Sequence, residues 1–187
     1  MENAMRRLIF AALVTQCTCA AIPAYAEDIG NNTVCFVPGP DDCATVAVAE
    51  INKTQKTIDM QSYNFTEPHI AQALIDAHNR GVIVRLISDK SGPSECNGEV
   101  LPTAQAGIPV WIDNKPRIAH NKVMVIDAGE SNAEVLTGSL NCSVAAATKN
   151  AENLLVNRDP ALAAAYEANF NSRLTQSETL QQYESAR

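Results

Sequence analysis

Two pairs of polar residues, each with one residue between its members, stand beside apolar runs in the second half of the chain. His120 and Lys122 open an apolar run that closes with Asp127, and Ser139 and Asn141 follow the next apolar run. Imidazole can act as a nucleophile, whereas ammonium, hydroxyl and carboxamide groups donate hydrogen bonds to an anionic oxygen. This combination suits phosphoryl chemistry without a metal, because the donors supply the charge stabilisation that Mg²⁺ gives elsewhere.

The spacing of both pairs predicts that they meet at one end of a sheet. Residues two apart in a strand point to the same side, so the first pair shares a face with Met124 and Ile126. If the strands over residues 120–127 and 133–139 form a hairpin, their antiparallel geometry returns the second pair beside the first. Asp127 then lies at the far end of its strand on the opposite face. We expect it to serve the turn or a structural hydrogen bond.

The elements that carry these residues predict an α/β fold, a mixed β-sheet flanked by helices on both faces. Strands and helices alternate in the first half of the chain, and several strands lack a polar face. One helix is predicted from a Thr66 cap, through Pro68 in its first turn, to Gly81. Its buried stripe is predicted to contain Ile70, Ala73, Leu74 and Ala77. We predict a single domain over residues 27–187, with a fraying tail after about Gln176.

The first 26 residues have the three parts of a secretory signal: a positive end, an apolar centre and a small-residue cleavage site, Ala24-Tyr25-Ala26, with cleavage expected after Ala26. A membrane anchor is disfavoured because the apolar run is short and Gln16 interrupts it. Lipidation of Cys17 or Cys19 is disfavoured because Gln16 and Thr18 are larger than the residue expected before a lipidated cysteine. The sequence therefore predicts a signal peptide over residues 1–26, a periplasmic or secreted protein, and no stable membrane association after cleavage.

The charge of the chain excludes nucleic-acid binding by bulk electrostatics. The net charge is −7, and removal of the signal leaves 12 of the 14 basic and 20 of the 21 acidic residues, a net charge of −8. Any polyanion site must then be a local basic patch. Lys115 and Arg117 form such a cluster with Lys122, and a merely solvated turn remains an alternative for the first two.

Four cysteines remain after signal cleavage, an even number in an exported chain. They allow three pairings, among which the sequence does not choose. We favour Cys35 with Cys43, because Pro and Gly between them would turn the chain back, and then Cys96 with Cys142. Zinc binding is disfavoured since the mature chain has no CxxC pair.

The motif residues carry a resemblance to a known family. His120-x-Lys122-x4-Asp127, followed by Gly138-Ser139-x-Asn141, resembles the HKD signature of the phospholipase D superfamily. "SYNFTEPHIAQALIDAHNRGVIVRLISD" and "ATKNAENLLV" resemble segments of its small bacterial single-motif endonucleases, the Nuc type. The resemblance spans nearly all of the mature chain and implies the phospholipase D-like fold.

The resemblance also implies a role for each matching residue. His120 is expected to attack phosphorus and form a phosphohistidine. Lys122 and Asn141 are expected to hold the non-bridging oxygens, with help from Ser139. Glu152 matches the acidic residue that orients the histidine ring, and the motif aspartate has a structural role in such proteins. The chain departs from the family at Leu140 and Cys142, where aromatic residues are usual.

This chemistry needs two histidines, one to attack and one to protonate the leaving oxygen. The mature chain has only His69, His78 and His120, and the first two lie on a predicted helix outside any second HxK motif. We therefore predict a twofold homodimer with one shared site built from two copies of the motif. One neutral and one charged ring should produce a bell-shaped pH profile.

The sequence thus predicts an exported phosphodiesterase without metal or cofactor, most simply a non-specific endonuclease of DNA, with RNA as a further candidate substrate. A phospholipase D acting on lipid is the alternative. It would need an acyl pocket or membrane-docking loops, and the loops carry no aromatic or Leu-rich tips. A catalytically silent binding protein is a third reading, against which the intact motif residues argue.

Overall fold

The computed structural model describes residues 26–39 and 42–187, so the predicted signal peptide lies outside the described residues except for Ala26. The strands of this part of the chain are β1 (Glu27–Ile29), β2 (Asn32–Val37), β3 (Thr57–Ser62), β4 (Ile83–Asp89), β5 (Val110–Asp113), β6 (Lys122–Ile126), β7 (Glu134–Gly138), β8 (Glu152–Asn157) and β9 (Glu178–Thr179). Its α-helices are α1 (Cys43–Lys53), α2 (Pro68–Asn79), α3 (Val100–Gln105), α4 (Val144–Thr148), α5 (Pro160–Leu174) and α6 (Leu180–Ser185). No helix in these two ranges is both long and apolar enough to cross a bilayer.

All of these strands join one mixed sheet in the order β1-β2-β8-β7-β6-β3-β4-β5-β9. β3, β4 and β5 pair in parallel and the other neighbours are antiparallel. The predicted hairpin is β6–β7, in which Val123 lies opposite Thr137 and Ile126 opposite Glu134. This register places the end of β7 beside the start of β6.

Helices cover both faces of the sheet, which confirms the predicted fold class. Met124 and Ile126 of β6 belong to the main core, to which α1 and α2 contribute. The alternate residues Val123 and Val125 pack with Ala163 of α5 on the other face. The strict period of two along β6 therefore separates the two layers, as the sequence predicted.

Helix α2 has the predicted buried stripe but a different cap. Its Ile70, Ala73, Leu74 and Ala77 are buried. The cap is Glu67 rather than Thr66, because the Glu67 carboxylate accepts the hydrogen bond of the His69 backbone N–H at 3.2 Å.

The C-terminal segment is ordered where a fraying tail was expected, so that prediction is wrong. Trp111 of β5 pairs with Thr179 of β9. Thr179 and Gln182 then form a reciprocal capping box at the start of α6. The Tyr183 hydroxyl donates to the Lys90 carbonyl at 3.1 Å, which ties α6 to the end of β4.

The first predicted disulfide is present and the second is not. Cys35 and Cys43 are bonded with their Cα atoms 5.7 Å apart, and this bond links β2 to the start of α1. Cys96 and Cys142 are free thiols, so the prediction of a bond between them is wrong. Cys96 is exposed on the loop before α3, whereas burial raises the pKa of the Cys142 thiol to about 12.

A polar cavity of about 330 Å³ lies at the β6–β7 turn, at the opposite end of these strands from the His120–Lys122 pair. Glu134 lines it and is 6% exposed. Burial, reinforced by the negative charge of Glu50, raises the pKa of Glu134 to about 7, although Arg158 lies 3.3 Å away and opposes the shift. The positive charge of Lys53 also acts to lower the pKa of Glu134, and the negative charge of Asp127 acts to raise it.

Glu134→Gln is expected to remove a pH dependence of stability. The pKa of Glu134 is about 7 in the folded state and 4.5 ordinarily. Between these two pH values the folded chain therefore holds a proton that the unfolded chain has released. Stability therefore falls as pH rises through this window, by about 3 kcal/mol between pH 4.5 and 8. Urea unfolding at both pH values should show this loss in the wild type but not in the variant. Exposed Glu130→Gln is the control, and an unchanged slope in Glu134→Gln would contradict the assignment.

Candidate active site

His120 and Lys122 lie together at the sheet end where β6 begins. β6 starts at Lys122 rather than at His120, which lies exposed on the preceding loop. The Lys122 Nζ atom is 3.2 Å from each ring nitrogen of His120 and donates to the His120 carbonyl at 3.0 Å. The two side chains therefore share one site even though the histidine precedes the strand.

The loop that carries His120 is held by the end of β4. The buried Asp89 carboxylate accepts hydrogen bonds from the Ala119 backbone N–H at 2.8 Å and from the backbone and hydroxyl of Ser91 at 2.9 and 2.7 Å. Burial acts to raise the pKa of Asp89, but these hydrogen bonds outweigh it and the pKa is lowered. Lys90 adds a hydrogen bond to the Pro116 carbonyl at 3.2 Å. The position of His120 thus depends on a charged residue about 30 positions earlier in the chain.

The Lys122 ammonium is partly shielded from solvent. Burial lowers its pKa, and the negative charge of Glu152 acts against that shift. Beneath it is a small apolar cavity of about 30 Å³, lined by Leu136, Leu140 and Cys142 among others. This is roughly the volume of one water molecule, far below that of a pocket for an organic ligand.

Ser139, which directly follows β7, and Glu152, the first residue of β8, form the second polar group of the site. The Ser139 hydroxyl donates to the Glu152 carboxylate at 2.5 Å and accepts the Asn153 backbone N–H at 3.1 Å. Asn150 donates to the other Glu152 oxygen at 3.0 Å. A Cβ at Gly138 would lie 2.3 Å from the Asn153 carbonyl oxygen, so only glycine allows β7 to approach β8 this closely.

The expected contact between Glu152 and His120 is not found among the described residues. The carboxylate of Glu152 is held instead by Ser139 and Asn150, as described above. Glu152 therefore acts on the pair electrostatically, through Lys122.

Asn141 lies just beyond the end of β7, where the backbone is tied to the start of α2. The carbonyl of the next residue, Cys142, accepts hydrogen bonds from the Thr66 and Glu67 backbone N–H groups at 2.8 and 2.9 Å. The Asn141 Oδ1 atom is buried and has no hydrogen-bond partner among the described residues. A buried acceptor left in this state is unfavourable unless a further group reaches it.

Asp127 lies away from His120 and holds the backbone together at the turn after β6. It is 1% exposed, and its carboxylate accepts hydrogen bonds from the backbone N–H groups at residues 55–57, the shortest of them 2.7 Å from Lys56. The Asn132 amide also donates to it at 2.8 Å. The motif aspartate thus connects the end of α1 with the β6–β7 turn.

The basic residues of the loop are exposed. Arg117 lies on the surface, three residues before His120. The Lys115 side chain is 61% exposed, and its ammonium lies 4.0 Å from the Glu178 carboxylate. Lys115 is therefore partly neutralised, whereas Arg117 presents its charge to solvent beside the site.

Sequence reasoning missed two residues of this site, Asp89 and Tyr63. The Tyr63 ring centroid lies 4.7 Å from that of His120, with the rings tilted by 51°, and 5.4 Å from the Lys122 Nζ atom. Neither residue belongs to the HxK or GSxN spacing. The signal in the sequence was their position: Tyr63 directly follows β3, which pairs with β6, and Asp89 ends β4, the next strand beyond β3.

Comparisons with known proteins agree with this arrangement. Residues 47–174 match the family model described as "Cardiolipin synthase, PLD-like domain". A phospholipase D of Rickettsia prowazekii is 41% identical over 147 residues, which are 79% of this chain and 69% of that protein. A mitochondrial cardiolipin hydrolase of Xenopus laevis is 31% identical over 136 residues, which are 73% of this chain and 63% of that protein.

Among solved structures, the phospholipase D family member Nuc from Salmonella typhimurium superimposes with a TM-score of 0.72 at 32% identity. The match covers 79% of this chain and 96% of that one. Fold, motif order and family model thus coincide over the residues that build the His120–Lys122 site, and the chain belongs to the phospholipase D-like family of phosphodiesterases.

Proposed function

We propose that this protein is an exported, metal-independent endonuclease that cleaves DNA through a phosphohistidine at His120. The observation that chiefly supports the nuclease assignment is the open setting of the site. His120 is exposed, and the apolar cavity behind Lys122 holds about 30 Å³. A polymer phosphodiester can reach such a site from solvent, whereas a single lipid would find no acyl pocket there.

In the proposed reaction, a neutral His120 ring nitrogen attacks phosphorus while the bond to the leaving oxygen breaks. The leaving oxygen takes a proton from a second, charged histidine. Water then attacks phosphorus, the N–P bond breaks, and the water proton passes to the second histidine. The enzyme is thereby returned to its starting state.

Lys122 and Asn141 stabilise the non-bridging oxygens in this scheme. The ammonium lies beside the imidazole, 3.2 Å from its ring nitrogens, so a phosphorus atom bonded to His120 would have its oxygens within reach of Lys122. Partial burial strengthens such an interaction because water screens it less. Ser139, just after β7, and Glu152, at the start of β8, complete the polar edge of the site.

The second histidine is proposed to come from another copy of the chain. His69 is 83% exposed at the start of α2 and its ring contacts Glu67 at 2.7 Å. His78 lies in the last turn of the same helix, near Gly107. Neither has a contact with His120 among the described residues, which favours a homodimer with a shared site.

Lipid hydrolysis is the second candidate, and two observations favour it. The curated relatives named above are a phospholipase D and a cardiolipin hydrolase. In addition, two apolar side chains are exposed near the site in the chain: Ile118, on the loop before His120, is 46% exposed, and Val144, at the start of α4, is 44% exposed. Both could touch a membrane surface.

The deciding experiment incubates the mature protein with plasmid DNA, with RNA, and with phosphatidylcholine or cardiolipin vesicles, all in excess EDTA. We expect DNA cleavage with little sequence preference and a steep decline as salt is raised, because phosphate contacts would carry the affinity. Headgroup release without DNA cleavage would replace the nuclease assignment by the lipid one. Loss of all activity in EDTA would contradict the metal-independent mechanism.

A further inference from the structure

We infer that Tyr63 is a positioning residue for the His120–Lys122 pair, an inference that depends on the proposed function of that pair. Tyr63 follows Ser62, the last residue of β3, which pairs with Lys122 in β6. Its backbone N–H donates to the Asn121 carbonyl at 3.1 Å. The backbone of Tyr63 is therefore fixed to the single residue that separates the two members of the pair.

The side chain of Tyr63 contacts both members of the pair. Its ring lies 4.7 Å from the His120 ring, inside the range of attractive aromatic pairs, and the 51° tilt is an edge-inclined arrangement. The Lys122 ammonium lies 5.4 Å from the Tyr63 centroid, within the range of cation–π attraction. One aromatic ring thus restrains the orientation of the imidazole and attracts the neighbouring ammonium.

This restraint is needed because little else fixes the imidazole. His120 is exposed on a loop, and among the described residues its ring nitrogens are hydrogen-bonded only to the flexible side chain of Lys122. In-line attack requires the attacking nitrogen to stay aligned with phosphorus, and a displacement of about 1 Å can lower a rate about 100-fold. The Tyr63 ring supplies the second contact that limits rotation.

The ring also favours the charged form of Lys122. Burial lowers the pKa of that ammonium, and the electron-rich face of Tyr63 acts in the opposite direction. Removing the ring should therefore allow Lys122 to lose its proton at lower pH. The hydroxyl group is not required for either contact, since both are contacts with the aromatic ring.

The test compares Tyr63→Leu and Tyr63→Phe, with Tyr166→Leu as control, using plasmid DNA and bis(p-nitrophenyl) phosphate. Tyr166 packs on the α5 face of the sheet, away from the site. We expect Tyr63→Leu to lower kcat about tenfold with KM nearly unchanged. The further loss of kcat that accompanies deprotonation of Lys122, on the alkaline side of the limb set by the charged histidine, should begin at lower pH in this variant. Tyr63→Phe and Tyr166→Leu should stay within about twofold of the wild type in kcat.

Several results would overturn the inference while leaving the proposed function intact. A raised KM with wild-type kcat in Tyr63→Leu would make Tyr63 a substrate contact. Equal losses in the leucine and phenylalanine variants would assign the effect to the hydroxyl. A lower melting temperature with wild-type kcat per folded molecule would make the residue merely structural. If the wild type cleaves neither substrate, the proposed function fails and this inference fails with it.

Discussion

Replacing His120 with asparagine is expected to lower the turnover number on DNA about 10,000-fold or more, because the variant removes the nucleophile and the proton donor of a shared site at once. Asparagine has a similar size and polarity, and His120 is exposed, so the fold should be unaffected. Affinity for DNA, measured at constant salt, should change little since Lys122 and Arg117 remain. Steady-state cleavage and melting temperature together check this result.

His69→Asn and His78→Asn are the matched controls, and both should retain nearly full activity. If either of them abolishes cleavage, the second histidine belongs to the same chain and a shared dimeric site is not needed. Retention of activity by His120→Asn would refute its assignment as the nucleophile.

Mixed dimers of wild-type and His120→Asn chains extend this prediction to the assembly. If one site needs the histidine of both copies, equal random mixing should leave about a quarter of the wild-type activity, from the dimers with two intact chains. Subunits that act independently would leave about half. The difference can be measured after co-refolding of differently tagged chains.

Asp127→Ala is expected to cause the largest loss of stability, about 3–5 kcal/mol in the free energy of unfolding. The Asp127 carboxylate accepts backbone N–H groups from residues 55–57 and the Asn132 amide, and the substitution leaves these donors without their acceptor in a buried place. Asp127 also has a φ of +48°, a left-handed conformation that Asp tolerates better than Ala. The lost hydrogen-bond acceptor and the unfavourable backbone conformation both lower the stability of the alanine variant.

Urea denaturation at pH 7 measures this loss, with Asp127→Asn and Asp76→Ala as comparisons. Asparagine keeps one acceptor oxygen and should be less destabilising than alanine. Asp76 is exposed on α2 and its carboxylate accepts only the Gln72 amide among the bonds described, so its removal should change stability by less than about 0.5 kcal/mol. Activity per folded molecule should survive in Asp127→Asn, and a stable but inactive variant would contradict a structural role.

The sequence was sufficient for those parts of the fold that depend on local pattern. The alternation along β6 sorted Met124 from Val125 onto opposite faces, and the antiparallel return of β7 followed from two short apolar runs with a turn between them. The start of α5 is likewise indicated by its sequence, with Asp159 as the cap and Pro160 in the first turn. Such features depend on residues close together in the chain, where few arrangements are possible.

Features that depend on distant residues were not predictable in the same way. Asp89 and Tyr63 reach the site through the order of strands in the sheet, which spacing within a motif does not encode. The even number of cysteines suggested two disulfides, but the Cys142 thiol is buried beside the site whereas Cys96 is exposed on a loop. The start of the C-terminal helix α6 could have been predicted from the sequence, since Thr179 and Gln182 have the capping-box spacing.

Covalent capture of the reaction intermediate tests the central claim most directly. DNA carrying ³²P at the cleaved phosphate is mixed with the enzyme in EDTA, quenched in base within milliseconds to seconds, and the labelled peptide is identified by mass spectrometry. The proposed mechanism predicts acid-labile, base-stable label on His120 alone, and none in His120→Asn. Rapid cleavage with no label on the protein, or with label on another residue, would contradict it.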